Sequence, residues 1–298
     1  MPPDSEFLNK IKQNIAQELD EEKVLLFRNA LKQELDDSLK KHLLPPITDN
    51  QTSLIVDGLI QMLQLDKTGV PVITSVLTNA AMCCLDKRGN NYQATLAKHE
   101  EIKEAIKQIL GWLVLAAVDP GFIQGLNSAS HYSKLYFELP VKTPAGVEII
   151  ISRHVQRLAK LKTEGIAKGT DILLARDDQF SWKSSETAEQ LKQMLWNQVF
   201  PDRTKSTHLN QNETSQLNAE LEIRFADEWF KEHHIIAIES ANIIAKQDHQ
   251  TIYQQLLADL PNLTLVQFGI VDNTLVFYAP EQNLMSAINR FLQHINKA

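Results

Sequence analysis

The spacing of apolar residues changes once along this chain, and that change constrains the fold more than any other feature. Phe7, Ile11 and Ile15 recur at every fourth position, as do Phe27, Leu31, Leu35 and Leu39. A repeat close to the helical period places such side chains in one stripe. The helical period persists to about Asn127, and from about Ser130 short β-rich runs replace it. The sequence therefore predicts a helical, bundle-like module over residues 1–128 followed by an α/β module over residues 129–298, a mixed sheet layered with helices.

Local signals place the elements. The acidic run Asp20, Glu21, Glu22 marks a break between the first two apolar stripes. The "LLPP" at Leu43–Pro46 ends the second, because proline has no N–H and disfavours helix in the residue before it. Thr48 and Gln51 form a capping-box pattern ahead of Ile55, Leu59, Met62 and Leu63. Pro71 suits a first helical turn before Ile73, Val76, Leu77 and Ala80. A further helix carries Ile102 to Ala117 and stops at Pro120 and Gly121.

In the second half, "KLYFELPVKTPAGVEIIIS" reads as a β-hairpin, residues 153–164 as a helix and "DILLA" as a strand, together a βαβ crossover. A helix with Ala188, Leu191, Leu195 and Val199 follows. The polar stretch "PDRTKSTHLNQNETSQ" comes next, with residues 206–216 expected to be an exposed mobile loop. Beyond it come a helix with Leu217 and Leu221, the strand "HIIAIE", a helix with Ile252 and Leu256, the strands "LTLVQFGI" and "TLVFYA" joined by a "VDN" turn, and a closing helix with Leu284, Ile288, Phe291 and Ile295.

Charge and cysteine content narrow the function. A net charge of −7 argues against a general polyanion binder, so nucleic acid is not an expected partner. The two cysteines, Cys83 and Cys84, are neighbours and form no disulfide framework, which points to a reducing compartment. Cys84 lies on the apolar stripe of its helix, and Cys83 is the more accessible position. No basic region followed by an apolar stretch opens the chain, and the longest apolar run, residues 109–118, falls short of the roughly 20 residues that span a bilayer. The expectation is a cytoplasmic protein with no membrane partner.

Candidate sites follow from the rule that open α/β sheets bind ligands beyond the carboxyl ends of their strands. That rule selects Glu239 and Ser240 after "HIIAIE", Arg176, Asp177 and Asp178 after "DILLA", and Ser152, Arg153 and His154 after "VEIII". Carboxylates beside an arginine and a histidine could hold a divalent cation and a phosphate. The expected catalytic candidates are Glu239, Asp177, Asp178 and His154.

Residues 153–168 form a basic island in which Arg153, Arg157 and Lys160 share a helical face able to meet phosphate. With Ser240, these are the ligand-binding candidates. His233 and His234 stand roughly 20 Å from Glu239 on an extended strand, so "EHH" and Glu239 do not form one metal site; no metal site and no cofactor are expected. Phosphate-loop, dinucleotide and nucleophile-elbow motifs are absent.

The reading that follows is a non-catalytic regulatory or adaptor protein, acting through a protein partner or as a homo-oligomer. Two alternatives stand beside it. One is a metal-assisted phosphoryl or ester hydrolase with its site at the strand ends. The other is phosphate, nucleotide or nucleic-acid binding through the basic helix 153–168.

Overall fold

A computed structural model describes residues 3–48, 51–65, 69–85, 96–129, 136–161, 172–176, 185–226, 235–239, 246–269 and 276–297. It is mostly helical and contains a small parallel sheet. Two compact units are present, each discontinuous in sequence. The first comprises Met1–Ile123, Glu148–Glu164 and Leu275–Ala298, and the second Gln124–Val147 and Gly165–Thr274.

The first unit is built on the four-residue stripes. Helix α1 (Pro3–Asp20) buries Phe7, Ile11, Ile15 and Leu19, and α2 (Leu25–Lys41) buries Phe27, Leu31, Leu35 and Leu39. A short 3-10 turn, Glu22–Val24, separates them where the acidic run predicted a break. Asp20 also pins the next helix, because Arg28 donates to both Asp20 (3.1 Å) and Thr52 (3.2 Å), and the Thr52 hydroxyl donates to Asp20. Helix α3 (Thr52–Leu65) therefore begins just after the predicted capping box, with Gln51 supplying the carbonyl for Leu54 N–H and Ile55 N–H.

Helix α4 (Gly69–Leu85) has Pro71 in its first turn, and α5 (Leu96–Leu113) runs into a 3-10 turn, Val114–Ala117. Helix α6 (Pro120–Ala129) starts where Asp119 accepts Phe122 N–H at 3.0 Å, so Pro120 and Gly121 open a helix as well as ending one. No helix among the described residues is long and apolar enough to cross a membrane.

Helix α2 ends in a tight reversal. Leu43 N–H donates to Lys40 O, Leu44 N–H donates to Leu39 O, and Leu43 takes a left-handed backbone with φ 60. This is the hydrogen-bond pattern of a Schellman cap, with leucine at the position usually held by glycine. A side chain there costs about 1 kcal/mol.

Two strand expectations and one helix expectation change. "VEIII" is not a strand: it lies inside α7 (Pro144–His154). Thr143 caps that helix, accepting Gly146 N–H on its hydroxyl at 3.0 Å and Val147 N–H on its carbonyl at 3.1 Å, and Pro144 fits the first helical position. Because Val147, Ile149, Ile150 and Ile151 are all buried, the apolar run looks the same whether it lies in a buried strand or a buried helix.

The helix predicted over 153–164 ends at His154 in a second Schellman cap. Arg157 N–H donates to Ser152 O, Gln156 N–H donates to Arg153 O, and Gln156 has φ 57. Finally, the described part of "TLVFYA", from Val276 on, pairs with the segment just before α6. Phe277 forms an antiparallel bridge with Val118, fixed by Asp119 N–H to Val276 O (2.8 Å) and Tyr278 N–H to Ala117 O (2.9 Å).

The second unit holds the sheet. Strands β1 (Tyr136–Glu138), β2 (Ile172–Arg176), β3 (Ile235–Glu239) and β4 (Thr264–Phe268) are arranged β1-β4-β3-β2, and every strand pairing among the described residues is parallel, where a mixed sheet was expected. Parallel neighbours require crossover connections, which α8 (Ser185–Val199), α9 (Gln211–Ala226) and α10 (Lys246–Asp259) provide between β2, β3 and β4. Their side chains Leu191, Leu195, Leu217, Leu221 and Leu256 share one core with Ile236, Ile238 and Leu265 from the sheet. Lys192, buried between Asp259 (2.8 Å) and Glu189 (2.6 Å), ties α8 to α10. Burial pulls its pKa down, but the hydrogen bonds to Asp259 and Glu189 outweigh it and leave the pKa raised.

Part of the stretch expected to be a loop is helical, because its own polar residues start α9 at Gln211. Asn210 Oδ1 accepts Glu213 N–H at 3.0 Å while Glu213 accepts Asn210 N–H at 2.9 Å, a reciprocal capping box that starts α9 at Gln211. Trp196 donates its indole N–H to Arg203 O, and Gln193 and Asn197 both donate to Lys205 O. Asn210→Ala is expected to destabilise the protein by about 1 kcal/mol in urea denaturation. An unchanged midpoint would show that the box contributes nothing to α9.

Candidate functional site

The sequence-derived candidates separate into two groups in different compact units. In the α/β unit, Glu239 ends β3, half-buried, and its register partner on β2 is Arg176. On its other side Glu239 is in register with Phe268 of β4. All strands run the same way, so their carboxyl ends lie along one edge. Asp177 and Asp178 follow Arg176 in the chain and Ser240 follows Glu239. These three, with His233 and His234, lie outside the described residues.

The backbone along this edge is held closely. Leu139 N–H donates to Gln267 O, and Gly269 N–H, directly after β4, donates to Val141 O at 2.7 Å. Gly269 has φ 87, a conformation that strains any residue bearing a Cβ.

In the helical unit the two arginines of the basic island, Arg153 and Arg157, are interior rather than on the surface. Arg157 packs its guanidinium against Glu148 with paired hydrogen bonds of 2.9 and 3.1 Å, and the two side chains are 4% and 7% exposed. The same carboxylate accepts the Ser152 hydroxyl at 3.0 Å and Lys160 N–H at 2.8 Å. Arg153 is buried with its guanidinium 4.2 Å from the centre of the Phe7 ring, a cation–π contact. His154 is half-buried, and burial lowers its pKa.

The helical face expected to join Arg153, Arg157 and Lys160 does not exist, because the helix stops before Arg157. The first two side chains point inward, and Lys160 contributes its backbone N–H to the Glu148 cluster. Sequence reasoning also passed over Glu148. Its signal is a carboxylate inside the uninterrupted apolar run "VEIII", a position that requires a partner.

The remaining polar groups assemble no metal centre: among the described residues, no three His, Cys, Asp or Glu side chains are grouped to hold an ion. Cys83 is exposed, and Cys84 is partly covered with its thiol pushed up to about 11 by burial and by the neighbouring Cys83. No protein-family model, curated protein or solved structure matches this chain.

Proposed function

We propose that this is a non-catalytic regulatory or adaptor protein that works through protein–protein interaction in the cytoplasm. A helical module within residues 1–128 docks the partner, and an α/β module within residues 129–298, a sheet layered with helices, senses or scaffolds. The observation that carries this reading is the fate of the basic island. Arg153 and Arg157, the cations best suited by sequence to meet a substrate phosphate, are each 5% exposed and engaged inside the helical unit. Groups committed in this way hold a scaffold together. The test is recovery of the tagged full-length chain from its source cells. A protein partner should remain at fixed stoichiometry through washing, or light scattering should show a homo-oligomer. A strict monomer recovered alone would overturn the proposal.

One observation favours the hydrolase as a second reading. The parallel register puts Glu239 beside Arg176 at the carboxyl edge of the sheet, where α/β proteins bind ligands, and a divalent cation would be the cofactor it requires.

A further inference from the structure

We propose that the corner at the end of α2, Lys41–Pro46, docks an acidic segment of a partner protein, with Leu43 entering an apolar pocket on that partner. This rests on the adaptor reading and names the chemistry of what it binds. Leu43 carries two costs at once. Its side chain is 95% exposed, and its backbone is held in the left-handed region that favours glycine. Two independent hydrogen bonds fix that backbone, and the loop is anchored further on by Ile47 N–H donating to Asp36 at 2.8 Å. The leucine is thus presented at a set angle, flanked by exposed Lys41, His42, Pro45 and Pro46. Backbone outliers cluster at functional sites.

The surrounding charge selects the occupant. Lys40 is paired with Asp37 at 3.0 Å, whereas Lys41 and His42 have no ion pair among the described residues. Lysines also answer the dipole at a helix C-terminus, but that explains neither the exposure nor the strain of Leu43. An unpaired lysine, Lys41, exposed on a chain of net charge −7 complements a carboxylate. A protein segment suits it better than a lipid surface, because one leucine beside one unpaired lysine is a weak membrane anchor and a fixed side-chain angle matters only to a shaped pocket.

The experiment selects random 12-residue peptides by display against the full-length chain, then measures each winner on Leu43→Gly, Lys41→Glu and Lys41→Arg. Winners should be rich in Asp and Glu around an apolar residue. They should bind Leu43→Gly and Lys41→Glu at least tenfold more weakly, and Lys41→Arg about as well as the original chain. Leu43→Gly should itself melt about 2 °C higher, which separates lost binding from lost folding. Winners without acidic excess, or acidic winners indifferent to Leu43→Gly, would overturn the corner while leaving the adaptor reading to its own co-purification test. A dimer that Leu43→Gly converts to monomer, or binding to vesicles with 30 mol% phosphatidylserine that the variant loses, would reassign the corner to a second copy or to lipid.

Discussion

Arg157→Ala is expected to destabilise the protein by about 3–5 kcal/mol, because it leaves the buried Glu148 carboxylate without its cation. The remaining donors, the Ser152 hydroxyl at 3.0 Å and Lys160 N–H at 2.8 Å, are neutral and do not cancel the charge. Replacing both members, Glu148→Leu with Arg157→Met, should recover most of the loss, since an apolar pair of similar size needs no compensation. Urea denaturation of the two single variants and the double variant measures this directly. A double variant no better than the sum of its singles would show that the pair is not coupled, and that Arg157 is held there for another reason.

The second large effect is expected at Gly111, in the last turn of α5. A Cβ at this position would lie 2.6 Å from the Ala159 carbonyl oxygen and 2.8 Å from Leu158 Cδ1. Alanine ordinarily favours a helix over glycine by about 1 kcal/mol, but here the clash is with backbone, which cannot rotate away. Gly111→Ala should therefore cost about 1–3 kcal/mol. It should also loosen residues 155–161, seen as faster amide exchange at Arg157 and Lys160 than in the native chain. A gain in stability would show that this segment does not rest on α5.

How much was legible in the sequence depended on whether the deciding interaction was local. Phe27, Leu31, Leu35 and Leu39 announced their helix because periodicity alone places them on one buried stripe. "VEIII" misled because a helix buried all round has no polar face to show its period. The corrective signal was Thr143–Pro144, an N-cap followed by a first-turn proline. Asn210 and Glu213 were likewise readable as a capping box, but the polarity of the stretch suggested a loop instead.

The parallel order β1-β4-β3-β2 was not readable, since strand pairing joins residues as distant as Tyr136 and Leu265 and no local signal carries it. The rule about strand ends did choose Glu239 and Arg176, and the structure sets them in register. The same rule chose Arg153 and His154 only because their helix was taken for a strand.

The central claim, that the protein binds rather than converts, is tested most directly by turnover. The full-length chain and Glu239→Gln should be assayed with p-nitrophenyl phosphate, bis(p-nitrophenyl) phosphate and p-nitrophenyl acetate, each with Mg²⁺ and with Mn²⁺. The account predicts rates equal to the buffer background for both proteins. Metal-dependent turnover by the native chain that disappears in Glu239→Gln would contradict it and place a hydrolase site at the carboxyl edge of the sheet.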